Sequence, residues 1–246
     1  MRSVALQALQ DRIDGLASRG MIPRAAGRLP WGTDLVTGVV HEWLGVGTGR
    51  DWAPPICLLT HAALTAHRAR QARRIFWIGR RCWPYPLLLD RQRGALDASI
   101  LIDTPPGPPA VWAMEVALRL PHIAVVGDGD GLDIAQTRRL QLAAQAGGSL
   151  CMLARPQADR SALSAASVRW GVERLPAPGP GPRWCITLLR DKARSTRHDG
   201  PPQIGQAQIG QVQIDQSWIV EWNDEQGCVA LPAVVVGGAG RTRAQA

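Results

Sequence analysis

The sequence contains a single lysine, Lys192, although 28 of its 246 residues are basic. Phosphate-binding loops of nucleotide hydrolases need a lysine between a glycine and a Ser or Thr, because its ammonium holds the terminal phosphates. No stretch of this chain can supply that residue. The composition therefore excludes a complete phosphate-binding loop of the standard kind.

Cysteines and long apolar runs are also scarce. The five cysteines are scattered and odd in number, which excludes a disulfide framework. No stretch approaches the roughly 18 apolar residues of a membrane helix, and the N-terminus lacks the apolar run of a signal peptide. We therefore expect a cytoplasmic protein that does not enter a membrane.

Aromatic residues are almost all tryptophan, with 10 Trp against one Tyr and one Phe. Four of them lie within predicted helices or strands, where we expect them to pack in the core or at element ends: Trp43, Trp77, Trp112 and Trp184. The chain is long enough for one α/β domain with extensions. Its net charge of +8 is consistent either with binding to nucleic acid or an acidic protein surface, or with solubility alone.

A glycine-rich loop follows an apolar segment near the start of the chain. Residues 39–44 predict a buried strand, and Gly45 and Gly49 are separated by three residues instead of the usual four. Arg50 occupies the lysine position, and Asp51 occupies that of the hydroxyl residue, where its carboxylate would repel phosphate. We interpret Gly45, Gly49 and Arg50 as the relic of a phosphate loop, and expect no cofactor.

Apolar runs alternate with helical patterns through the first two thirds of the chain. Strands are predicted at residues 37–44, 75–78, 99–103, 122–126 and 149–154, and helices begin at 54 and span 110–120 and 130–146. This alternation predicts an α/β fold with a mainly parallel sheet covered by helices on both faces. Antiparallel hairpins are predicted from residues 167–175 with 184–190, and from 218–222 with 228–231.

The same patterns divide the chain. We predict an N-terminal helical extension over 1–22, a core over 23–192, a linker with a glutamine-rich pentapeptide repeat over 193–216, a hairpin packing on the core over 217–236, and a disordered tail over 237–246. The N-terminal helix either packs back on the core or docks on a partner. The repeat is either a flexible insert or an extended ribbon.

Candidate ligand positions lie at the C-terminal ends of the predicted parallel strands. Asp103 closes one strand, and Asp128 follows another by one residue, so we expect Asp128 to be a turn residue more than a metal ligand. Glu42 lies within a strand and is a general-base candidate, but with the loop broken we expect a salt bridge or a partly wet face. Cys57 and His61 share a helix face but lack further metal ligands, so we predict no metal site.

Two arginine pairs are candidate contacts for a partner or for nucleic acid. Arg80 and Arg81 follow a strand and lie beside aromatic residues, so they either grip single-stranded nucleic acid by stacking or belong to a solvated loop. Arg138 and Arg139 lie on a predicted helix. Arg139 falls on the predicted apolar face of that helix, where it either extends its head to water or meets a buried carboxylate.

Four stretches, taken in order, resemble the ImuA family of RecA-like accessory proteins of the bacterial mutasome for error-prone lesion bypass. They are residues 38–49, 74–86, 110–120 and 133–156, of which 138–148 is the most family-like run. The closing strands at 184–190 and 218–231 are also similar, so the resemblance spans roughly residues 29–231. The pentapeptide insert and the Asp-rich turn at 128–133 depart from it.

The resemblance implies a RecA-like core of the P-loop-NTPase type without a sound ATP site. It also implies a non-catalytic function in translesion synthesis, with an inactive Y-family-like polymerase subunit, an error-prone C-family DNA polymerase and RecA as candidate partners, and with DNA contacted indirectly. The related SulA-like cell-division inhibitors provide one alternative. A weak ATPase, in which Arg50 replaces lysine, is another.

Overall fold

The computed structural model describes residues 25–45, 52–177, 181–193, 216–223 and 228–232. Two short strands, β1 (Ala25–Arg28) and β2 (Asp34–Val36), pair antiparallel with each other. The other strands form one sheet, and they are β3 (Val39–Leu44), β4 (Arg74–Ile78), β5 (Ser99–Ile102), β6 (Ile123–Asp128), β7 (Leu150–Arg155), β8 (Val168–Leu175), β9 (Arg183–Asp191), β10 (Gln216–Asn223) and β11 (Cys228–Ala230). The helices are α1 (Ile56–Arg68), α2 (Pro86–Asp90), α3 (Ala95–Ala98), α4 (Pro108–Leu118) and α5 (Ile134–Gly147).

The large sheet has the order β11-β10-β9-β8-β3-β7-β6-β4-β5. Strands β3 to β8 are mutually parallel, whereas β9, β10 and β11 add successive antiparallel pairs at one edge. All six residues of β3 are buried, because β7 and β8 flank this strand and both faces of the sheet are covered. The predicted α/β sheet with antiparallel C-terminal strands is therefore confirmed.

Helices cover both faces of the sheet, as predicted. On one face, α1 buries Leu59 and Ala63 in a cluster that includes Trp77 of β4. On the other face, α4 and α5 bury Met114 and Leu140 against alternate residues of the same strands. The predicted N-terminal extension and C-terminal tail lie outside the described residues, as does most of the predicted linker.

The tryptophan prediction is correct for three positions and wrong for the fourth. Trp43, Trp77 and Trp184 are buried, and the Trp43 ring stacks on Trp170 with 5.3 Å between ring centroids. Trp112 is 65% exposed. The sheet side of α4 is already filled by smaller apolar residues, so Trp112 points away from the core.

The predicted apolar face of α5 is also partly wrong. Ala135, Leu142 and Ala146 are exposed, and the buried face contains Gln141 instead. Strand β8 begins to pair with β3 only at His41, so earlier backbone groups of β3 need other partners. The Gln141 side chain accepts a hydrogen bond from the amide of Val40 at 3.0 Å and donates one to the carbonyl of Gly38.

His61 of α1 connects this helix to the last strand. Its Nδ1 atom accepts a hydrogen bond from the Val229 amide of β11 at 3.2 Å. Burial lowers the pKa of His61 to about 4, and the nearby charge of Arg68 contributes to the same shift. The histidine is therefore a neutral acceptor at physiological pH, and within the described residues no group of metal ligands forms around it.

We predict that acid destabilises the fold through His61. The folded protein binds this proton only near pH 4, whereas the unfolded chain binds it near pH 6.5, so the unfolded state holds more protons between these values. The free energy of unfolding should fall by roughly 1.4 kcal/mol per pH unit in that window from this group. Urea unfolding curves between pH 7 and pH 4 measure the slope.

His61→Gln should remove this part of the slope, because glutamine keeps an acceptor but does not titrate. His122→Asn is the matched control, because His122 is exposed and has a φ of 57° that asparagine tolerates. Equal slopes for wild type and His61→Gln would contradict the assignment.

Candidate functional site

The C-terminal ends of the parallel strands lie at the same end of the sheet. Strand β4 lies between β5 and β6, and the connection after β4 crosses to the opposite face of the sheet from the connections after β5 and β6. The chain leaves β4 toward the face that carries α1, where Leu89 and Ala95 join the same core cluster. It leaves β5 and β6 toward the face that carries α4 and α5. Crevices at such switch points are where open α/β sheets bind ligands.

A cleft of about 430 Å³ occupies this position. The end of β4 contributes Gly79, Arg80 and Arg81, the end of β5 contributes Asp103 and Thr104, and the end of β6 contributes Asp128. Gly79 has a φ of 87°, and a Cβ atom there would approach the Asp128 Cβ to 3.1 Å. Glycine is therefore needed for the chain to turn so close to the neighbouring strand.

Arg81 is held on three sides. Its Nη1 atom lies 2.8 Å from Oδ2 of Asp130, its Nε atom lies 3.7 Å from Oδ2 of Asp128, and its guanidinium lies 5.2 Å from the centroid of the Trp52 ring. Trp52 Nε1 also donates to Asp130 at 3.3 Å. The contact between the Arg81 guanidinium and the Trp52 ring was not predicted from the sequence.

Arg80 pairs with Asp103 across the cleft. Its Nε atom donates to Oδ1 of Asp103 at 2.9 Å, and its Nη2 atom donates to Oδ2. These hydrogen bonds lower the pKa of Asp103 below its ordinary value. Although the Arg80 side chain is 76% exposed, its charge is thus already matched by a carboxylate.

Asp128 differs from its prediction as a turn residue. It is the last residue of β6, it pairs with Ala154 of β7, and its side chain is only 8% exposed. Its Oδ1 atom accepts a hydrogen bond from the Asp130 amide at 3.1 Å. Burial raises the pKa of Asp128, against the opposing effects of that hydrogen bond and of Arg81. The strand continues past its apolar run because neighbouring β7 is long enough to pair with it.

Glu42 is completely buried, and both of its carboxylate oxygens accept hydrogen bonds. Its Oε1 atom accepts hydrogen bonds from Nη1 of Arg155 at 2.9 Å and from the Ser164 hydroxyl at 2.5 Å, and its Oε2 atom accepts one from Nε of Arg169 at 2.8 Å. The salt-bridge alternative from the sequence is therefore confirmed. A carboxylate with both oxygens bound to cations has no access to a water molecule that it could activate.

The two arginines have further acceptors. Arg155 also binds the Asp159 carboxylate and the carbonyl of Leu132, and Arg169 donates to the carbonyl of Asp159 at 2.8 Å. The sequence prediction missed both arginines and Ser164. Arg155 follows five apolar residues without a break, and this was the available signal that its charge enters the core with the strand.

The other predicted arginine pair lies on α5. Arg139 forms an ion pair with Glu115 of α4, and Arg119 also binds Glu115 at 2.8 Å. The Glu115 side chain is 15% exposed, so Arg139 meets a largely buried carboxylate, one of its two predicted environments. Arg138 is exposed on the same helix. The four candidate arginines therefore lie in two places, the cleft and the helical face.

Only the first residue of the predicted phosphate-loop relic is described. The Gly45 amide donates to the carbonyl of Arg155 at 2.7 Å, and a Cβ atom there would lie 2.4 Å from the carbonyl oxygen of Ala53. Gly49, Arg50 and Asp51 lie outside the described residues. Gly45 is thus explained by close backbone packing between β3, β7 and the start of the next segment.

Comparison of the chain with models of known protein families gives no match, and a search of curated proteins likewise gives no significant match. Among the helices of the described ranges, none is both long and hydrophobic enough to span a bilayer.

We predict that Glu42→Gln destabilises the protein by about 3–5 kcal/mol, because it leaves two buried guanidinium groups without their shared anion. Glu173→Gln, at an exposed position on β8, should change stability by less than about 0.5 kcal/mol. Urea unfolding at neutral pH measures both.

The double variant Glu42→Gln with Arg169→Gln should lose less than the sum of its two single variants, because it removes both sides of one ion pair. Strict additivity, or a Glu42→Gln variant as stable as wild type, would contradict a structural role for this network.

Proposed function

We propose that this protein is a non-catalytic, RecA-like accessory factor of error-prone translesion DNA synthesis, which acts by binding polymerase subunits and RecA. The non-catalytic part of this proposal rests on the hydrogen bonds that occupy both carboxylate oxygens of Glu42. This carboxylate lies on the strand that leads into the glycine-rich loop, and it is the general-base candidate of the sequence. Here Arg155, Arg169 and Ser164 occupy its oxygens.

The architecture supports the RecA-like part of the proposal. The strand that leads into the glycine-rich loop is central, helices cover both faces, and antiparallel strands extend one edge. These features agree with the resemblance of the sequence to the ImuA family. The sequence of the loop, with Arg50 and Asp51 in place of lysine and a hydroxyl residue, supports loss of hydrolysis.

An exposed apolar stripe supports a function in protein binding. Trp112, Val116 and Leu120 recur at four-residue intervals along and just beyond α4, and they are 65%, 47% and 47% exposed. Residues four apart lie on the same side of a helix. Adjacent large apolar side chains in water are typical of interaction surfaces. The partners follow from the resemblance: an inactive Y-family-like polymerase subunit, a C-family polymerase and RecA.

The partner prediction is tested by affinity capture of the tagged full-length chain from DNA-damaged cells. We expect recovery of polymerase subunits or RecA, and a loss of at least about tenfold for Trp112→Ala, since an exposed Trp in an interaction surface contributes strongly to binding. Leu163→Ala is the matched control, because Leu163 is 78% exposed but lies outside the stripe. Recovery of neither polymerase subunits nor RecA would contradict the proposal. Recovery of a tubulin-like division protein instead would favour the SulA-like alternative.

The weak-ATPase alternative is tested by thermal unfolding with ATP and Mg²⁺. A ligand that binds the folded state raises the melting temperature according to its concentration relative to Kd. We expect no rise at millimolar ATP, with an intact RecA protein as the positive control. A rise that requires both ATP and Mg²⁺ would show that the protein still binds nucleotide, and release of phosphate from ATP by the same sample would replace the non-catalytic proposal with an enzymatic one.

A further inference from the structure

The cleft at the end of β4 has an unequal charge balance. Two arginines, Arg80 and Arg81, face three carboxylates, Asp103, Asp128 and Asp130. Both oxygens of Asp103 are bound by Arg80, and Oδ2 of Asp130 is bound by Arg81 and by Trp52. The local excess is therefore one negative charge in a chain whose net charge is +8.

That excess is concentrated on Asp128. Its Oδ1 atom accepts the Asp130 amide, but its Oδ2 atom has only a 3.7 Å contact with Nε of Arg81, which is beyond hydrogen-bond distance. The side chain is more than nine-tenths buried and still lines the cleft. Because Asp128 lines the cleft and this oxygen has no short hydrogen bond, it is available as an acceptor for a ligand.

A second acceptor lies in the same cleft. The Thr104 hydroxyl is buried, and it has no hydrogen-bond partner among the described residues. Thr104 follows β5, so it approaches the cleft from the opposite side of β4 to Asp128. Rotation of the Thr104 side chain toward the cleft would give a ligand between the two residues hydrogen-bond acceptors on both sides.

The remaining wall is apolar. Pro105, Pro106 and Ala110 line the cleft between the end of β5 and the first turn of α4. Pro has no backbone N–H, so Pro105 and Pro106 offer no amide to an anion. An alkyl chain can lie on such a wall while its polar head reaches deeper groups.

We propose that this cleft binds a guanidinium or ammonium group carried on a short alkyl stem, with the cationic head between Asp128 and Thr104 and the stem against the two prolines. The source is either a free alkylamine, such as a polyamine, or the basic side chain of a partner protein. This inference is independent of the proposed function in lesion bypass.

An anionic ligand fits the same groups poorly. The charges of Arg80 and Arg81 are already matched by Asp103 and Asp130, so phosphate would enter a cleft whose net charge is negative. It would then lie beside the buried Asp128. Burial destabilises the charged form of Asp128 and raises its pKa, and a bound cation would offset this effect because it stabilises the charged carboxylate.

The test uses the full-length chain and three small probes in calorimetry and thermal unfolding. Butylguanidinium should bind with a Kd in the millimolar range or tighter, whereas its neutral analogue butylurea and inorganic phosphate should not. Binding of butylurea as tight as that of butylguanidinium would overturn the proposal, because recognition would then not depend on charge. Binding of phosphate but not of butylguanidinium would also overturn it.

Two variants locate the site. Asp128→Asn and Thr104→Val should each weaken butylguanidinium binding, the former by about tenfold or more. Thr104→Val removes a hydroxyl that has no partner, so it should fold normally and keep the test valid if Asp128→Asn does not. Asp97→Asn is the control, because Asp97 is exposed on α3 and does not line the cleft. Unchanged binding in both cleft variants would overturn the assignment.

Two further probes distinguish the sources of the cation. Tighter binding of spermidine than of N-acetylarginine methylamide supports a free polyamine, and the reverse order supports an arginine side chain from a partner. If neither binds as tightly as butylguanidinium, neither a polyamine nor an arginine side chain of a partner is the ligand, and that part of the proposal is overturned.

Discussion

The buried bridge from Arg155 through Glu42 to Arg169 is the constraint on which the centre of this protein depends. The three residues lie on β7, β3 and β8, which are neighbours in the sheet, and Glu42 is directly opposite Arg169 in the strand register. Moving such charges out of water costs several kcal/mol for each ion, so they are tolerated only when the hydrogen bonds are complete. A one-residue shift of either flanking strand would leave a charge without its partner, and the bridge therefore specifies the register.

At the end of the sheet where the parallel strands terminate, the region of this bridge is filled by protein, and the region around β4 is open to solvent. Beside β7 and β8 the ion pairs are covered by the segment that carries Asp159 and Ser164. Around β4 the connections diverge to opposite faces, and the cleft forms there. The charged groups beside β3 thus pair with one another in the core, whereas those beside β4 remain accessible to a ligand.

Most strands were predictable because their apolar runs are continuous, as expected for a parallel sheet buried on both faces. The errors arose where a polar residue is buried or a large apolar residue is not. Gln141 lies in the core because β3 has backbone groups that β8 does not reach, and Trp112 lies outside because smaller residues fill the sheet side of α4. Strands β1 and β2 are too short to show alternation. The cleft depends on which way each connection turns, and no local pattern in the sequence encodes that choice.

The overall charge of the chain does not prevent a cation from entering this cleft. Ions screen charges in water beyond about 8 Å at physiological ionic strength, so distant arginines have little effect on a group at the bottom of the cleft. Asp128 is buried, and its interaction with a cation is screened much less. Arg81 already shows how such a cation is held, because it combines an ion pair with a cation–π contact to the Trp52 ring. A Cβ atom at Gly45 would lie 3.1 Å from the same ring, so Trp52 connects the cleft with the residue that follows β3.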